Sequence, residues 1–283
     1  MHDEDLRTNP DAVAGAPEPT IGRHRINGTT LYAEVRGDGP AVLLIPGGAE
    51  DAEGWRAVAE RLPGWTVVTY DRRGTLRSGR EDWPGHGSAQ HADDAAALLR
   101  ALGLADVVVF GSSSAGVIAV QLAIRHPTLV RRALVYEPGY LCLTDDAVRL
   151  RSPVLAATDA HLRNHPGDWA GAYRAFAQAV GPAAASLIAP SGRDWYAQRE
   201  ELNAEAMVRD DIPILTAETV DQAALASTPV DLRFSYGSES GAVFRNIAVR
   251  LAAMRGTVAD VITGVGHAIY LHPGAAAAYL RES

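Results

Sequence analysis

Lysine is absent from this chain of 283 residues, and all 26 of its basic residues are arginine. A chain without lysine cannot form a lysine Schiff base, and it cannot build the lysine-containing loop that holds nucleotide phosphates in P-loop proteins. The 34 acidic residues outnumber the basic ones, which gives a net charge of −8, and the sequence contains no basic tract. Nucleic acid is therefore not an expected partner.

Cysteine and long apolar runs are also scarce. Cys142 is the single cysteine, so no intrachain disulfide can form, which is typical of a reducing compartment. No apolar run approaches the length of a membrane span, and the acidic first residues lack the charged and apolar regions of a signal peptide. We expect a cytoplasmic protein without membrane contacts and with a flexible tail over residues 1–20. A partner-binding arm is the alternative for that tail, and homodimerisation stays open.

Strand-like and helix-like segments alternate along most of the chain. The predicted strands are residues 21–27, 31–36, 41–45, 66–70, 107–110, 131–136, 230–236 and 258–262. The first two are joined by Asn27 and Gly28, a pair typical of hairpin turns. Helical segments between the later strands predict an α/β fold with a mostly parallel eight-stranded sheet and helices on both faces. Residues 139–229 lack strand signals and are rich in alanine, which predicts an inserted helical cap.

One segment has the features of a catalytic serine. Residues 107–110 form an apolar run typical of a strand buried on both faces, and the small residues GSSSAG follow at 111–116. A helical pattern continues after them, and this combination predicts a nucleophile elbow with Ser113 at its tip. A flexible serine-rich turn is the alternative, but it does not account for the flanking strand and helix. Because a serine hydroxyl is a poor nucleophile on its own, the chain must also supply a base.

Other candidate residues follow the carboxyl ends of predicted strands, where the sites of parallel sheets lie. Gly48 follows the strand at 41–45, and in acyl-transfer enzymes of this layout such a loop supplies one N–H group of the oxyanion hole. Ser114, the residue after the nucleophile, supplies the other. An ordinary strand-to-helix turn is the alternative for Gly48. No histidine pair has the spacing of a metal motif such as H-E-x-x-H, so neither a metal nor another cofactor is expected.

Four motifs together resemble the α/β-hydrolase superfamily: LLIPGG, YDRRGTLRS, VFGSSSAG and GVGH. The resemblance covers nearly the whole chain outside the tail. It implies an α/β-hydrolase core at residues 21–138 and 230–283, with the cap at 139–229. It also implies the chain order nucleophile, acid, histidine, which makes His267 the base; a surface loop histidine is the alternative.

Two glutamates compete for the role of the acid. Most superfamily members carry an aspartate after the strand that corresponds to residues 230–236, but here Ser240 occupies that position and Glu239 is its neighbour. Glu137 follows the strand next to the elbow strand, where a carboxylate can receive the Nδ1 proton of His267. Because a charge at a buried strand end needs a partner, we expect Glu137 to be the acid, with Glu239 as the alternative.

The position of Glu137 narrows the resemblance to the zearalenone-type lactone hydrolases. They are similar in having a Pro-x-Gly oxyanion loop, a serine-rich elbow and a catalytic glutamate after the following strand. For substrate contacts we assign Gly47, Tyr140 and, by its position in the cap, Trp195. Packing of the cap onto the core is an equal alternative for Trp195.

We therefore expect a serine hydrolase that cleaves the ester or lactone bond of an apolar or aromatic small molecule through an acyl-enzyme, with a zearalenone-like macrolactone as the specific candidate. Alternatives on the same site are a carboxylesterase, a thioesterase and a C–C hydrolase of secondary metabolism. A non-catalytic ligand receptor with this fold is a further alternative. A haloalkane dehalogenase is disfavoured because its nucleophile is an aspartate, whereas position 113 is serine.

Overall fold

An eight-stranded sheet runs through the structure, a computed structural model that describes residues 9–180 and 194–283. The strands are β1 (Thr20–Ile26), β2 (Thr29–Arg36), β3 (Ala41–Ile45), β4 (Thr66–Tyr70), β5 (Val107–Ser112), β6 (Val130–Tyr136), β7 (Asp231–Gly237) and β8 (Asp260–Ile262). Their spatial order is β1-β2-β4-β3-β5-β6-β7-β8. Strands β1 and β4 pair antiparallel with β2, and all other neighbours pair parallel. The prediction of a mostly parallel eight-stranded sheet is confirmed.

Helices cover both faces of the sheet. The α-helices of the described residues are α1 (Arg56–Ala59), α2 (Gly87–Ala101), α3 (Ser114–Arg125), α4 (Asp145–Asn164), α5 (Trp169–Val180), α6 (Asp194–Leu202), α7 (Ala204–Ala206), α8 (Gln222–Ser227), α9 (Ala242–Arg255) and α10 (Pro273–Glu282). Along β3, Leu43 packs with the apolar side chains of α2, α3 and α9, whereas its neighbours Val42 and Leu44 pack with those of α1 and α10. Successive strand residues therefore serve opposite faces, so the central strands are apolar throughout.

The described residues between β6 and β7 are mainly helical, and they contain α4 to α8 and a π-helix at Met207–Asp211. Apolar side chains of α4, α5 and the π-helix, among them Val154, Phe176 and Val208, form a third cluster that includes Ala49. These helices therefore pack over the loop that follows β3. Residues 181–193 of the predicted cap lie outside the described ranges. No helix in the described ranges has the length and apolar character required to cross a membrane.

Buried ion pairs join these helices to the sheet. Arg72 follows β4, and its Nη2 donates to Asp211 Oδ1 at 2.9 Å and to Gly47 O at 2.9 Å. Asp51, next to the same loop, accepts from Arg199 Nη2 of α6 at 2.8 Å. Because burying one charge of such a pair without the other is costly, the pairs hold the helices in one place over the loop after β3.

The N-terminal segment differs from the predicted flexible tail from Asn9 onward. Asn9 is buried, and its backbone N–H donates to Glu53 Oε1 at 3.0 Å. Its Oδ1 accepts from Tyr196 Oη at 2.9 Å. The physical reason is that the buried Glu53 carboxyl requires donors, and the chain start supplies one. Composition alone does not reveal such a contact.

Candidate active site

The predicted elbow lies where β5 meets α3. Ser113 has φ 54° and ψ −126°, a backbone conformation that non-glycine residues rarely adopt. Hydrogen bonds hold it there: its N–H donates to Tyr136 O at 3.1 Å, and its carbonyl accepts from Gly116 N at 2.9 Å and from Gly139 N at 2.8 Å. A Cβ atom at Gly111 would lie 2.3 Å from a backbone oxygen of α3, so only glycine permits this close crossing of strand and helix.

His267 and Glu137 are in direct contact. His267 Nδ1 lies 2.6 Å from Glu137 Oε2, and the Glu137 side chain is fully buried. Glu137 Oε1 accepts from the backbone N–H of Gly237 at 2.8 Å. Both carboxyl oxygens are thereby bound, which orients the group toward the imidazole. A carboxylate on Nδ1 favours the tautomer whose Nε2 is free to accept a proton.

Ser113 and His267 both line one cavity at the carboxyl ends of the strands. Within the described residues, Ser113 Oγ makes no hydrogen bond to His267. Hydrogen bonds between a nucleophile and its base are often long before substrate binds and then shorten. The Phe244 ring packs against the imidazole with ring centroids 4.0 Å apart, which restrains the histidine from the side of α9.

The two predicted oxyanion residues line the same cavity. Ser114 is the first residue of α3, so its N–H has no acceptor within the helix. The amino end of a helix also favours negative charge. Gly48 lies under Met207 of the π-helix, and a Cβ at this glycine would be 3.4 Å from the Met207 side chain. Both residues thus line the cavity that Ser113 lines, and their use as an oxyanion hole stays a prediction.

Glu239, the alternative acid, lies in the exposed turn after β7. Its backbone N–H donates to Val265 O at 3.0 Å, and its side chain does not line the cavity. Strand β6 lies between β5 and β7, so the residue after β6 is nearer to the elbow than the residues after β7. The contact with His267 is made by Glu137.

The described lining of the cavity does not include the three residues assigned to substrate contacts, and these assignments stay predictions. Gly47 is buried, and its N–H donates to Glu50 Oε2 at 2.6 Å, so it shapes the loop. Tyr140 is fully buried in the core on the α2, α3 and α9 side of the sheet. Trp195 packs edge-on against Tyr196 at 4.9 Å, which is the packing alternative.

The cavity wall consists mostly of residues that the sequence analysis did not single out. Apolar residues from the helices between β6 and β7 supply much of it, and they are Leu150, Val154, Phe176, Val180, Met207 and Ile212. Polar groups also contribute: Glu50, Tyr173, Glu200 and Tyr270. Within the described ranges, no group of three or more histidine, cysteine or acidic side chains is placed to hold a metal ion. The sequence did contain a signal for Glu50, which lies two residues after the glycine pair Gly47 and Gly48 in the loop after β3.

Glu50 has an unusual environment for a carboxyl group. Its Oε2 accepts from Gly47 N at 2.6 Å and from Trp55 Nε1 at 2.7 Å. Burial raises the pKa of the Glu50 carboxyl to about 7, although these hydrogen bonds oppose the shift. Both the protonated and the ionised form of this carboxyl are therefore accessible near neutral pH.

Comparison with known proteins agrees with this architecture. The sequence profile of the alpha/beta hydrolase fold family matches residues 40–224. The uncharacterized hydrolase YraK of Bacillus subtilis (strain 168) is 43% identical over 124 residues, which are 43% of this chain and 46% of YraK. The chain thus spans about half the length of the curated relatives it matches.

Two solved structures resemble the whole described fold. An alpha/beta hydrolase from Sphaerobacter thermophilus DSM 20745 has a TM-score of 0.73 at 28% identity, over 92% of this chain and 99% of that one. Est816, described as an N-acyl homoserine lactone degrading enzyme, has a TM-score of 0.70 at 21% identity over the same shares. The second likeness shows the fold alone.

Proposed function

Since the chain belongs to the alpha/beta hydrolase fold family, we propose that it is a serine hydrolase that cleaves an ester or lactone bond with Ser113, His267 and Glu137 as its triad. The observation that carries the proposal is the 2.6 Å contact between His267 Nδ1 and Glu137 Oε2 beside the cavity that Ser113 lines. An elbow serine without an oriented base would remain unreactive.

The reaction starts when His267 Nε2 takes the proton of Ser113 Oγ as this oxygen attacks the substrate carbonyl. The N–H groups of Gly48 and Ser114 stabilise the oxyanion, at about 3 kcal/mol per donor. Glu137 stabilises the imidazolium that forms. Substrate binding must first bring the Ser113 hydroxyl and the imidazole within hydrogen-bonding distance.

In the second half, the leaving alcohol takes the proton from His267 and an acyl-enzyme remains on Ser113. Water activated by His267 then attacks the acyl carbon, and the carboxylic acid product leaves. For a lactone substrate the alcohol stays attached to the acyl chain, so one product forms with one added water. This route accommodates esters and lactones alike.

The proposed substrate is largely apolar or aromatic. Apolar side chains such as Phe176, Val154 and Ile212 form much of the cavity wall, and such walls favour substrates of the same character. A zearalenone-like macrolactone is the specific candidate, and the position of Glu137 after β6 supports it.

The test combines a substrate panel with active-site labelling. Purified protein is incubated with macrolactones, including zearalenone, and with simple aryl esters, and mass spectrometry follows the gain of one water. A serine-directed phosphonate should label wild type and not Ser113→Ala, and this variant should lose turnover. Labelling without turnover of any ester or lactone would favour a ligand receptor. Equal turnover by Ser113→Ala would refute the serine mechanism.

A further inference from the structure

Four residues of the cavity wall have no role in the proposed reaction. They are Glu50, Tyr173, Glu200 and Tyr270, and this part of the wall is called the acceptor wall below. Tyr173 Oη donates to Glu200 Oε2 at 2.9 Å, and Tyr270 Oη donates to Glu200 Oε1 at 2.5 Å. Because both tyrosine hydrogens are used on Glu200, the two hydroxyl oxygens have only lone pairs left for a ligand.

Glu50 offers a further acceptor. Both of its N–H donors, Gly47 N and Trp55 Nε1, bind Oε2. Among the described residues, none donates to Oε1 of this carboxyl. Glu50 is therefore anchored through one oxygen, and the residue lines the cavity that Ser113 also lines.

The other polar residues of the cavity are less suited to bind a donor. Ser114 lines the cavity, but its Oγ is buried and has no hydrogen-bond partner among the described residues. The other charged residues of the cavity already have partners: Arg151 donates to Thr216 and Pro213, and Asp211 accepts from Arg72.

We infer that the acceptor wall is a specificity subsite that binds a hydrogen-bond donor of the substrate, a hydroxyl or an amine, with Glu50 Oε1 as the principal acceptor. This inference rests on the proposed function. Most of the remaining wall is apolar, so a polar substituent placed elsewhere would lose its water without compensation. The substrate class is thus an ester or lactone with an apolar body and one donor group.

The protonation state of Glu50 determines whether a hydroxyl or an ammonium group of the substrate can bind to it. Burial raises the pKa of this carboxyl to about 7, so both forms are present near neutrality. An ammonium group requires the ionised form, whereas a hydroxyl can bind either form because it both donates and accepts. The experiment therefore needs one substrate of each type.

The test uses p-nitrophenyl esters of phenylpropanoic acid with a hydroxymethyl, aminomethyl or ethyl group in the para position and, in a second set, in the meta position. These groups have similar size and differ in hydrogen bonding. For wild type, kcat/KM should be about tenfold higher for at least one polar ester than for the ethyl ester. The more reactive polar ester identifies the donor. The variants are Glu50→Ala and Glu50→Gln, with the exposed Glu239→Gln as control.

Glu50→Ala should lower kcat/KM for the preferred polar ester more than for the ethyl ester, so that the preference falls to within about twofold of parity. In Glu50→Gln the amide oxygen should occupy the Oε2 position, because two N–H groups point there, and the NH₂ group then faces the cavity. This variant should reject the aminomethyl ester and retain part of the hydroxymethyl preference. Glu239→Gln should match wild type on all three esters.

Two results would overturn the subsite. One is a wild type that hydrolyses all three esters at similar kcat/KM in both sets. The other is an equal loss on all three esters in Glu50→Ala, which would assign Glu50 to the shape of the oxyanion loop alone. Both differ from failure of the proposed function, which would appear as full activity of Ser113→Ala or as no turnover of any ester by wild type.

Discussion

Replacing Glu137 with glutamine tests the proposed triad most directly. Glu137 Oε1 accepts from Gly237 N at 2.8 Å, and Oε2 contacts His267 Nδ1 at 2.6 Å. In the variant, the amide oxygen should face Gly237 because an NH₂ group cannot accept a hydrogen bond. The NH₂ group then faces Nδ1 and forces the histidine tautomer that carries its proton on Nε2. That nitrogen can no longer accept the proton of Ser113.

The expected effect is large. Loss of the correct tautomer at a triad histidine lowers kcat by about ten-thousand-fold, which corresponds to about 5 kcal/mol of transition-state stabilisation. The variant keeps the size and both hydrogen bonds of the buried side chain, so the fold should persist. The assay is hydrolysis of a chromogenic aryl ester at pH 8, with Ser113→Ala as the background.

Glu239→Gln is the matched control, since the same chemical change there affects an exposed turn. It should retain the wild-type rate. The reasoning is refuted if Glu137→Gln keeps its rate within about tenfold, or if Glu239→Gln loses activity in its place. Circular dichroism of both variants should match wild type, so that a lost rate reports chemistry and not unfolding.

Three further predictions concern stability. Gly111→Ala places a Cβ 2.3 Å from a backbone oxygen of α3, and it should lower the free energy of unfolding by about 3 kcal/mol in urea. Asp211→Asn leaves the buried Arg72 without its charge partner, and it should cost about 3–5 kcal/mol in the same assay. For Glu50, burial raises the pKa of the carboxyl in the folded chain to about 7 from its ordinary value of 4.5, so the folded chain binds more protons between these pH values. The contribution of Glu50 to the free energy of unfolding should therefore fall by about 3 kcal/mol as pH rises through this window. Glu50→Gln should remove that part of the pH dependence of stability.

Each stability prediction has a control. Gly54→Ala introduces a Cβ that meets nothing within 4 Å, so it should have little effect. Glu201→Gln breaks an exposed pair with Arg174, which should cost less than about 1 kcal/mol. For the pH series the control is Glu239→Gln, which should keep the wild-type slope. A Gly111 or Asp211 variant as stable as its control would contradict the packing argument or the ion-pair argument.

The coupling between the helices that follow β6 and the loop that follows β3 can be measured with these variants. Arg72 binds Gly47 O and Asp211 at once, and Asp51 binds Arg199. Displacement of the helices over the loop would therefore disturb the residues that flank Gly48. A lower kcat of Asp211→Asn, measured under conditions where the variant is still folded, would report this coupling.

Local pattern was sufficient for much of the fold. The apolar run at β5, the small residues after it and the helix behind them were predictable because steric limits on strand, turn and helix act between near neighbours. Strand β8 shows where local pattern fails. Residues 258–262 were predicted, but the strand begins at Asp260, where pairing with Ser235 of β7 starts, and Val258 is 89% exposed before it.

Contacts between distant residues were not predictable in the same way. Three features depend on how helices pack across the molecule. Phe176 and Met207 line the cavity, Asn9 hydrogen-bonds to the buried Glu53, and Tyr140 is buried. Helix periodicity tells which side is apolar but not which neighbour it meets. The assignments of Tyr140 and Trp195 to the substrate therefore stay predictions, since sequence pattern could not place either side chain relative to the cavity.

The amino-acid sequence by itself determined the alternation of strands and helices, the strained serine at the end of β5 and the supply of glycine where chains cross closely. Tertiary structure alone decided which carboxyl group meets His267, since Glu137 lies 130 residues away along the chain and reaches it only through the order β5-β6-β7. It also decided that both described N–H donors of Glu50 bind its Oε2. Backbone sterics act over a few residues, whereas burial and hydrogen bonding depend on everything that folding brings together.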